Sequence, residues 1–239
     1  MDFLAAGLLF LASIVVSIWS FGLADGISSN VSLSDDEARV LLRKRYHPAA
    51  VLPFIKELKA SHWVQILILS VTTGFVVFLQ VRRDEFWVNL LTSVLVLLIL
   101  LVVAVVDWNT KKIPNFIPIS LIALRLPILM LDFFYRREQF KSIIISSAMG
   151  LLIGLLILVF FSIITKGGFG MGDVKIVAAT GFSIGLLATM CSMLYGMLLC
   201  MFAAIFFVLF KKKTLKDVIP FGPFFYFGYV VLVIFGTFQ

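Results

Sequence analysis

Two aspartates mark where this 239-residue chain could do chemistry. Asp107 closes the apolar run Phe86–Val106. Asp173 follows the stretch Lys166-Gly-Gly-Phe-Gly-Met-Gly and opens the next apolar segment. An ionisable group at the margin of an apolar span is costly and marks a functional site by default. Two carboxylates facing one another in a low-dielectric site cannot both ionise easily, so the pair shares a proton. That state suits peptide hydrolysis. The ionised carboxylate takes a proton from a water, and the protonated one hydrogen-bonds the scissile carbonyl. Such chemistry requires no metal. A third acid, Asp132, falls at the opposite membrane face and is expected to stay apart from the pair.

The glycines before Asp173 have a physical task. Gly167, Gly168, Gly170 and Gly172 cannot sustain a stable helix across Lys166–Gly172. Unpaired backbone at membrane depth must be buried in protein or line a water-filled cavity. The loop is therefore expected to admit water and an extended peptide, with Gly172 free to adopt positive φ. Other catalytic classes lack their parts. His47 and His62 lie in a polar segment away from the apolar spans, no His-Glu-x-x-His occurs, and no lysine falls within an apolar span to serve a Ser-Lys dyad. Cys191 and Cys200, nine residues apart in one apolar stretch, are half a turn out of phase on a helix and read as packing residues. With no Cys-x-x-Cys pair there is no cysteine zinc site, and no cofactor is implied.

The elements that must hold these residues are helices in lipid. Hydrophobic residues make up 62% of the chain and charged residues 14%, with a mean hydropathy of +1.11. A soluble domain is about half apolar and a quarter charged, so the excess faces a membrane. The pattern predicts an all-α, polytopic membrane protein of eight transmembrane helices. The expected spans are Phe3–Leu23, Trp63–Val81, Phe86–Val106, Ile113–Phe134, Ser142–Thr165, two crossings within 174–210 broken near Gly185–Thr189, and Ile219–Phe238. One crossing of 174–210 would extend about 55 Å, against a hydrocarbon core of about 30 Å. The organisation is then a first transmembrane helix at 1–23, a short cytoplasmic segment at 24–62, and a membrane-embedded bundle at 63–239.

Only Met1 and Asp2 precede the first apolar run, which therefore lacks the basic start of a secretory signal and reads as a retained span. Within 24–62, Ser34 and Glu37 form a capping-box pattern, and His47 before Pro48 ends that helix. The net charge of +7 sits in short runs between apolar stretches, as topology-setting loops do, which excludes nucleic acid as the natural partner. Loops on one side carry Arg39, Arg43, Lys44, Arg45, Lys56, Lys59, Lys111, Lys112, Lys166, Lys175, Lys211, Lys212, Lys213 and Lys216. The other side carries Arg82, Arg83, Arg136, Arg137 and Lys141, with Arg125 inside a span. That asymmetry places both termini outside and puts Asp107 and Asp173 at the inner, cytoplasmic face. Basic residues there also meet anionic membrane lipid.

These segments resemble those of a known family. Asp107 followed by Ile113-Pro114-Asn115 is similar to the first-aspartate segment of bacterial type IV prepilin peptidases. Gly170-Met171-Gly172-Asp173-Val174-Lys175 is similar to their Gly-x-Gly-Asp-x-Lys segment, and Ile219-Pro220-Phe221-Gly222-Pro223-Phe224 to the entry of their last span. The three motifs stand in the same order across 86–239. The resemblance extends to archaeal preflagellin peptidases and, more distantly, to presenilin-like proteases. It implies an aspartic endopeptidase that removes a short basic leader from prepilins or pseudopilins, just after a glycine, at the cytoplasmic face of the inner membrane. It assigns catalysis to Asp107 and Asp173. It makes Asn115, Gly170, Gly172, Lys175, Pro220, Phe221 and Gly222 substrate-binding or active-site neighbours. One departure stands out. Many bacterial members carry two zinc-binding cysteine pairs in an insert associated with methylating the new N-terminus, whereas 24–62 has no cysteine. Peptidase activity without methyl transfer is the expectation.

A transporter using Asp107 and Asp173 as a carboxylate relay is the competing class. It would place the acids near the bilayer midplane and repeat a broken helix in two halves. The sequence has one glycine-rich break and no evident half-to-half repeat.

Overall fold

The computed structural model describes residues 71–72, 74–75, 87–165, 170–210 and 219–235. The expected first span, the 24–62 segment, most of Trp63–Val81, Lys166 to Gly168 and the Lys211–Lys216 cluster lie outside the described residues. Among the described residues the structure is all helix: α1 (Trp87–Thr110), α2 (Phe116–Tyr135), α3 (Phe140–Ile164), α4 (Met171–Ile184), α5 (Leu186–Leu209) and α6 (Gly222–Phe235). Four of these, α1, α2, α3 and α5, are long and apolar enough to cross a membrane, and α6 is a shorter apolar helix. The expected all-helical, membrane-spanning class is thus borne out, while the count of eight is not: four helices among the described residues are long enough to span.

Contacts run from α1 to α2, α4, α3, α5 and α6, and back to α1. Among the four long helices α1 is the most enclosed. In its apolar window 56% of residues are buried, against 22% for α3 and 17% for α5, so α3 and α5 turn most of their surface outward to lipid. A helix apolar on every side belongs inside a bundle. The core joins Val96, Leu97, Leu100, Val103 and Val106 of α1 to Phe225, Tyr226, Tyr229 and Val233 of α6 and to Val174 and Val177 of α4. Lipid supplies no hydrophobic force between helices, so close packing at small residues has to hold them together. Accordingly, a Cβ on Gly181 of α4 would collide with the backbone of Gly150 of α3, and one on Gly228 of α6 with the backbone of Ser192 and Gly196 of α5.

The break expected near Gly185–Thr189 falls at Gly185, whose φ of 84° ends α4 and starts α5. At 14 residues α4 rises only about 21 Å, less than a full hydrocarbon crossing. Two other boundaries shift. α1 runs on past Asp107 to Thr110, and Lys111 turns left-handed with φ 53° to end it. The first of the next span's expected residues, Ile113-Pro114-Asn115, is the connection to α2 and not helix.

Exposed aromatics stand at both ends of α1. Trp87, in edge contact with Tyr135 at 5.2 Å, marks one end, and Trp108 with Phe116 marks the other. The 21 residues between the tryptophans span about 31 Å, the thickness of a hydrocarbon core, and such aromatics belong at membrane interfaces. Asp107 therefore lies at an interface and not at mid-depth.

Candidate active site

Asp107 occupies the last turn of α1, facing inward, and is 4% exposed. A carboxylate at a helix C-terminus meets the negative end of its own helix. Here another helix compensates. The N–H of Gly222, the first residue of α6, donates to Asp107 Oδ2 at 2.7 Å. That N–H has no partner within α6, and the positive end of α6 faces the carboxylate. The approach depends on glycine: a Cβ on Gly222 would lie 2.9 Å from Asp107 Oδ2 and 3.0 Å from its Cβ. Buried Pro220 and Phe221 lead the chain into this position, and Phe221 stacks on Phe225 with centroids 5.7 Å apart.

Asp173 is the third residue of α4. Its Oδ2 accepts the N–H of Gly170, the extended N-cap residue, at 3.2 Å, which is the returning half of a capping box. Its Oδ1 is buried and has no hydrogen-bond partner among the described residues. A buried polar atom left unpaired is rare and is a mark of function.

Two contacts tie the Asp173 segment to the Asp107 segment. Gly172 lies so close to the α1–α2 connection that a Cβ there would sit 2.9 Å from Ile113 Cβ and 3.3 Å from Ile113 O. One turn further on, Lys175 Nζ donates to Asn115 Oδ1 at 2.8 Å. The residues singled out in the sequence thus gather at one end of the bundle: Asp107, Asn115, Gly170, Gly172, Asp173, Lys175, Pro220, Phe221 and Gly222. One expectation needs correction. Gly172 is helical and not a positive-φ loop residue, and its reason for being glycine is the contact with Ile113. The helix begins at Met171 because Gly170 and Asp173 cap it, so the glycine stretch is helical from there on.

Sequence reading missed a second polar cluster at the other end. Asp132 of α2 is fully buried and lies between Arg125 Nη2 at 2.9 Å and Arg136 Nε at 2.9 Å. Arg125 Nη1 donates to Thr92 Oγ1, and Arg136 Nη1 to Asn89 Oδ1, both at 2.8–2.9 Å. A signal was present, since Arg125 and Asp132 are two helical turns apart and Asp132 and Arg136 form an i,i+4 pair. Fifteen residues of α1, about 22 Å, separate Thr92 from Asp107, so Asp132 stays apart from the aspartate pair as expected.

Fold and site together describe a bundle of helices long and apolar enough to cross a membrane, with two acid-bearing segments brought together at one end. The model of the type IV leader peptidase family matches residues 94–208, a stretch that holds both Asp107 and Asp173. Over that stretch the chain is similar to the leader peptidases. No curated protein and no solved structure matches the chain.

Proposed function

We propose that the chain is an intramembrane aspartic endopeptidase that removes the short basic leader of type IV prepilins or pseudopilins. The observation carrying this reading is that the segments bearing Asp107 and Asp173, far apart in sequence, are joined by the Lys175–Asn115 bond and the close approach of Gly172 to Ile113. The match to the leader peptidase family supports it. A water held between the carboxylates loses a proton to one of them and attacks the scissile carbonyl. The other donates a hydrogen bond to the carbonyl oxygen, and a proton is then returned to the leaving amine. Asp107, fixed by Gly222, is the more constrained carboxylate. Asp173 offers its unpaired Oδ1 to water or substrate. Asn115, Gly170, Lys175, Pro220 and Phe221 border the site and shape it.

The cut is made at the cytoplasmic face of the inner membrane, following the loop charges described above. The same charges would repel a basic leader, so Arg39, Arg43, Lys44 and Arg45 serve topology and anionic lipid instead. Segment 24–62 has no cysteine with which to hold a metal, and at about 40 residues an independent domain usually needs such a staple. The product therefore leaves unmethylated. The test is to incubate purified protein with a synthetic prepilin leader and a labelled methyl donor, then weigh the products. A cut after the glycine with an unmodified new N-terminus is expected. An intact peptide would refute the proteolytic reading, and a methylated product would refute the account of 24–62.

A further inference from the structure

Lys175 stands out because helix stability does not explain it. It is exposed and lies one turn into α4, close to the positive end of that helix, where a second positive charge is unfavourable. Its ammonium is spent on a bond to Asn115, sixty positions away in the chain. Asn115 ends the connection that starts just after Asp107, and Lys175 is two residues beyond Asp173. The bond therefore joins the two short segments that bear the carboxylates. Beneath it Gly172 rests directly on Ile113, a contact without side-chain atoms on one side. The glycine lets the segments approach, but packing against a glycine leaves sliding along the contact weakly opposed. A charged donor meeting an amide oxygen at 2.8 Å has direction as well as strength, and so fixes the register.

We propose that Lys175 and Asn115 form a clamp that sets the separation of Asp107 and Asp173, acting as positioning residues without touching substrate. This rests on the two-aspartate reading above. Alignment of reacting groups is sensitive to small displacements, and a shift of about 1 Å can cost about 10²-fold in rate. The clamp would act on turnover and leave binding alone. A lysine that instead bound substrate would act first on KM.

The experiment uses the full chain in lipid vesicles with a synthetic prepilin leader, and measures kcat and KM separately. K175M and N115L should each lower kcat about tenfold, the scale of one hydrogen bond to a charged group, with KM within about twofold of the parent. The double variant should lose no more than either single one, because both remove the same bond. K175R and N115D keep a donor and an acceptor and should recover most of the turnover. If the single variants fold poorly, exchanging the partners decides the matter. N115K with K175N should be more active per folded molecule than either N115K or K175N alone. The clamp is overturned by multiplicative losses in the double variant, by a rise in KM with kcat unchanged, or by no rescue in the exchanged pair. D107N and D173N are measured alongside. Near-parental turnover in those would overturn the two-aspartate reading itself, whereas their loss of turnover with unaffected Lys175 and Asn115 variants would overturn only the clamp.

Discussion

Asp107 and Asp132 are both buried acids in the same bundle, yet their surroundings differ in kind. Asp132 is enclosed by two guanidinium groups, which reach on to Thr92 and Asn89 of α1. Every oxygen of that carboxylate is used. Asp107 has one backbone N–H on Oδ2, and Asp173 has one on Oδ2 and nothing on Oδ1 among the described residues. Arg125 Nε is left without a partner among the described residues, but the Asp132 carboxylate itself has both oxygens engaged, which locks two helices in register and leaves that acid nothing for a substrate. An acid pair with spare acceptor capacity is less stable but able to bind and move protons. Saturation of the carboxylate oxygens, more than burial, separates the structural acid from the candidate catalytic ones.

Substitutions at the two ends should therefore fail in different ways. The largest effect is expected at the acid pair. Asp107→Asn and Asp173→Asn should each reduce turnover by roughly 10²–10⁴-fold, the scale of general acid–base catalysis, while melting stays near that of the parent. The double variant should be little worse than either, since both remove the same unit. Peptide cleavage and thermal melting on the same preparations check this. At the other end, Asp132→Ala removes the buried carboxylate that Arg125 and Arg136 share and should destabilise the bundle by about 3–5 kcal/mol. Its kcat per folded molecule should be preserved.

Gly222→Ala sharpens the comparison, because it disturbs Asp107 without altering its chemistry. The new methyl would sit 2.9 Å from Oδ2, so α6 must withdraw and the 2.7 Å bond from Gly222 must lengthen. Turnover should fall about 10- to 100-fold with little change in KM, read from steady-state kinetics. The smallest effect is expected for Thr92→Val, which keeps the shape but removes the acceptor used by Arg125. A loss of about 1–3 kcal/mol in stability with normal turnover would place Thr92 firmly on the structural side.

The helical class and the two aspartates were legible in the sequence for definite reasons. Apolar runs longer than a soluble helix needs announce spans, and acids at their margins are few enough to stand out. The break between α4 and α5 was legible because one apolar stretch was too long for one crossing, and Gly185 was there to turn it. What the sequence did not disclose depends on contacts between distant segments. Gly172 looked like a loop residue, since glycine before an aspartate suggests an open turn, but its neighbour Ile113 lies 59 positions earlier. Arg125 looked like a stray charge inside a span until Thr92 and Asp132 were seen on either side of it. The hold of Gly222 on Asp107 joins positions 115 apart, which no local pattern reports.

The central claim is that Asp107 and Asp173 carry the chemistry while Asp132 carries structure. Its most direct test is turnover of one synthetic prepilin leader by three variants, Asp107→Asn, Asp173→Asn and Asp132→Asn, each normalised to folded protein. The account predicts cleavage at least about 10²-fold below the parent from the first two and cleavage close to the parent from the third. Near-normal cleavage by either of the first two, or a folded but silent Asp132→Asn, would contradict it.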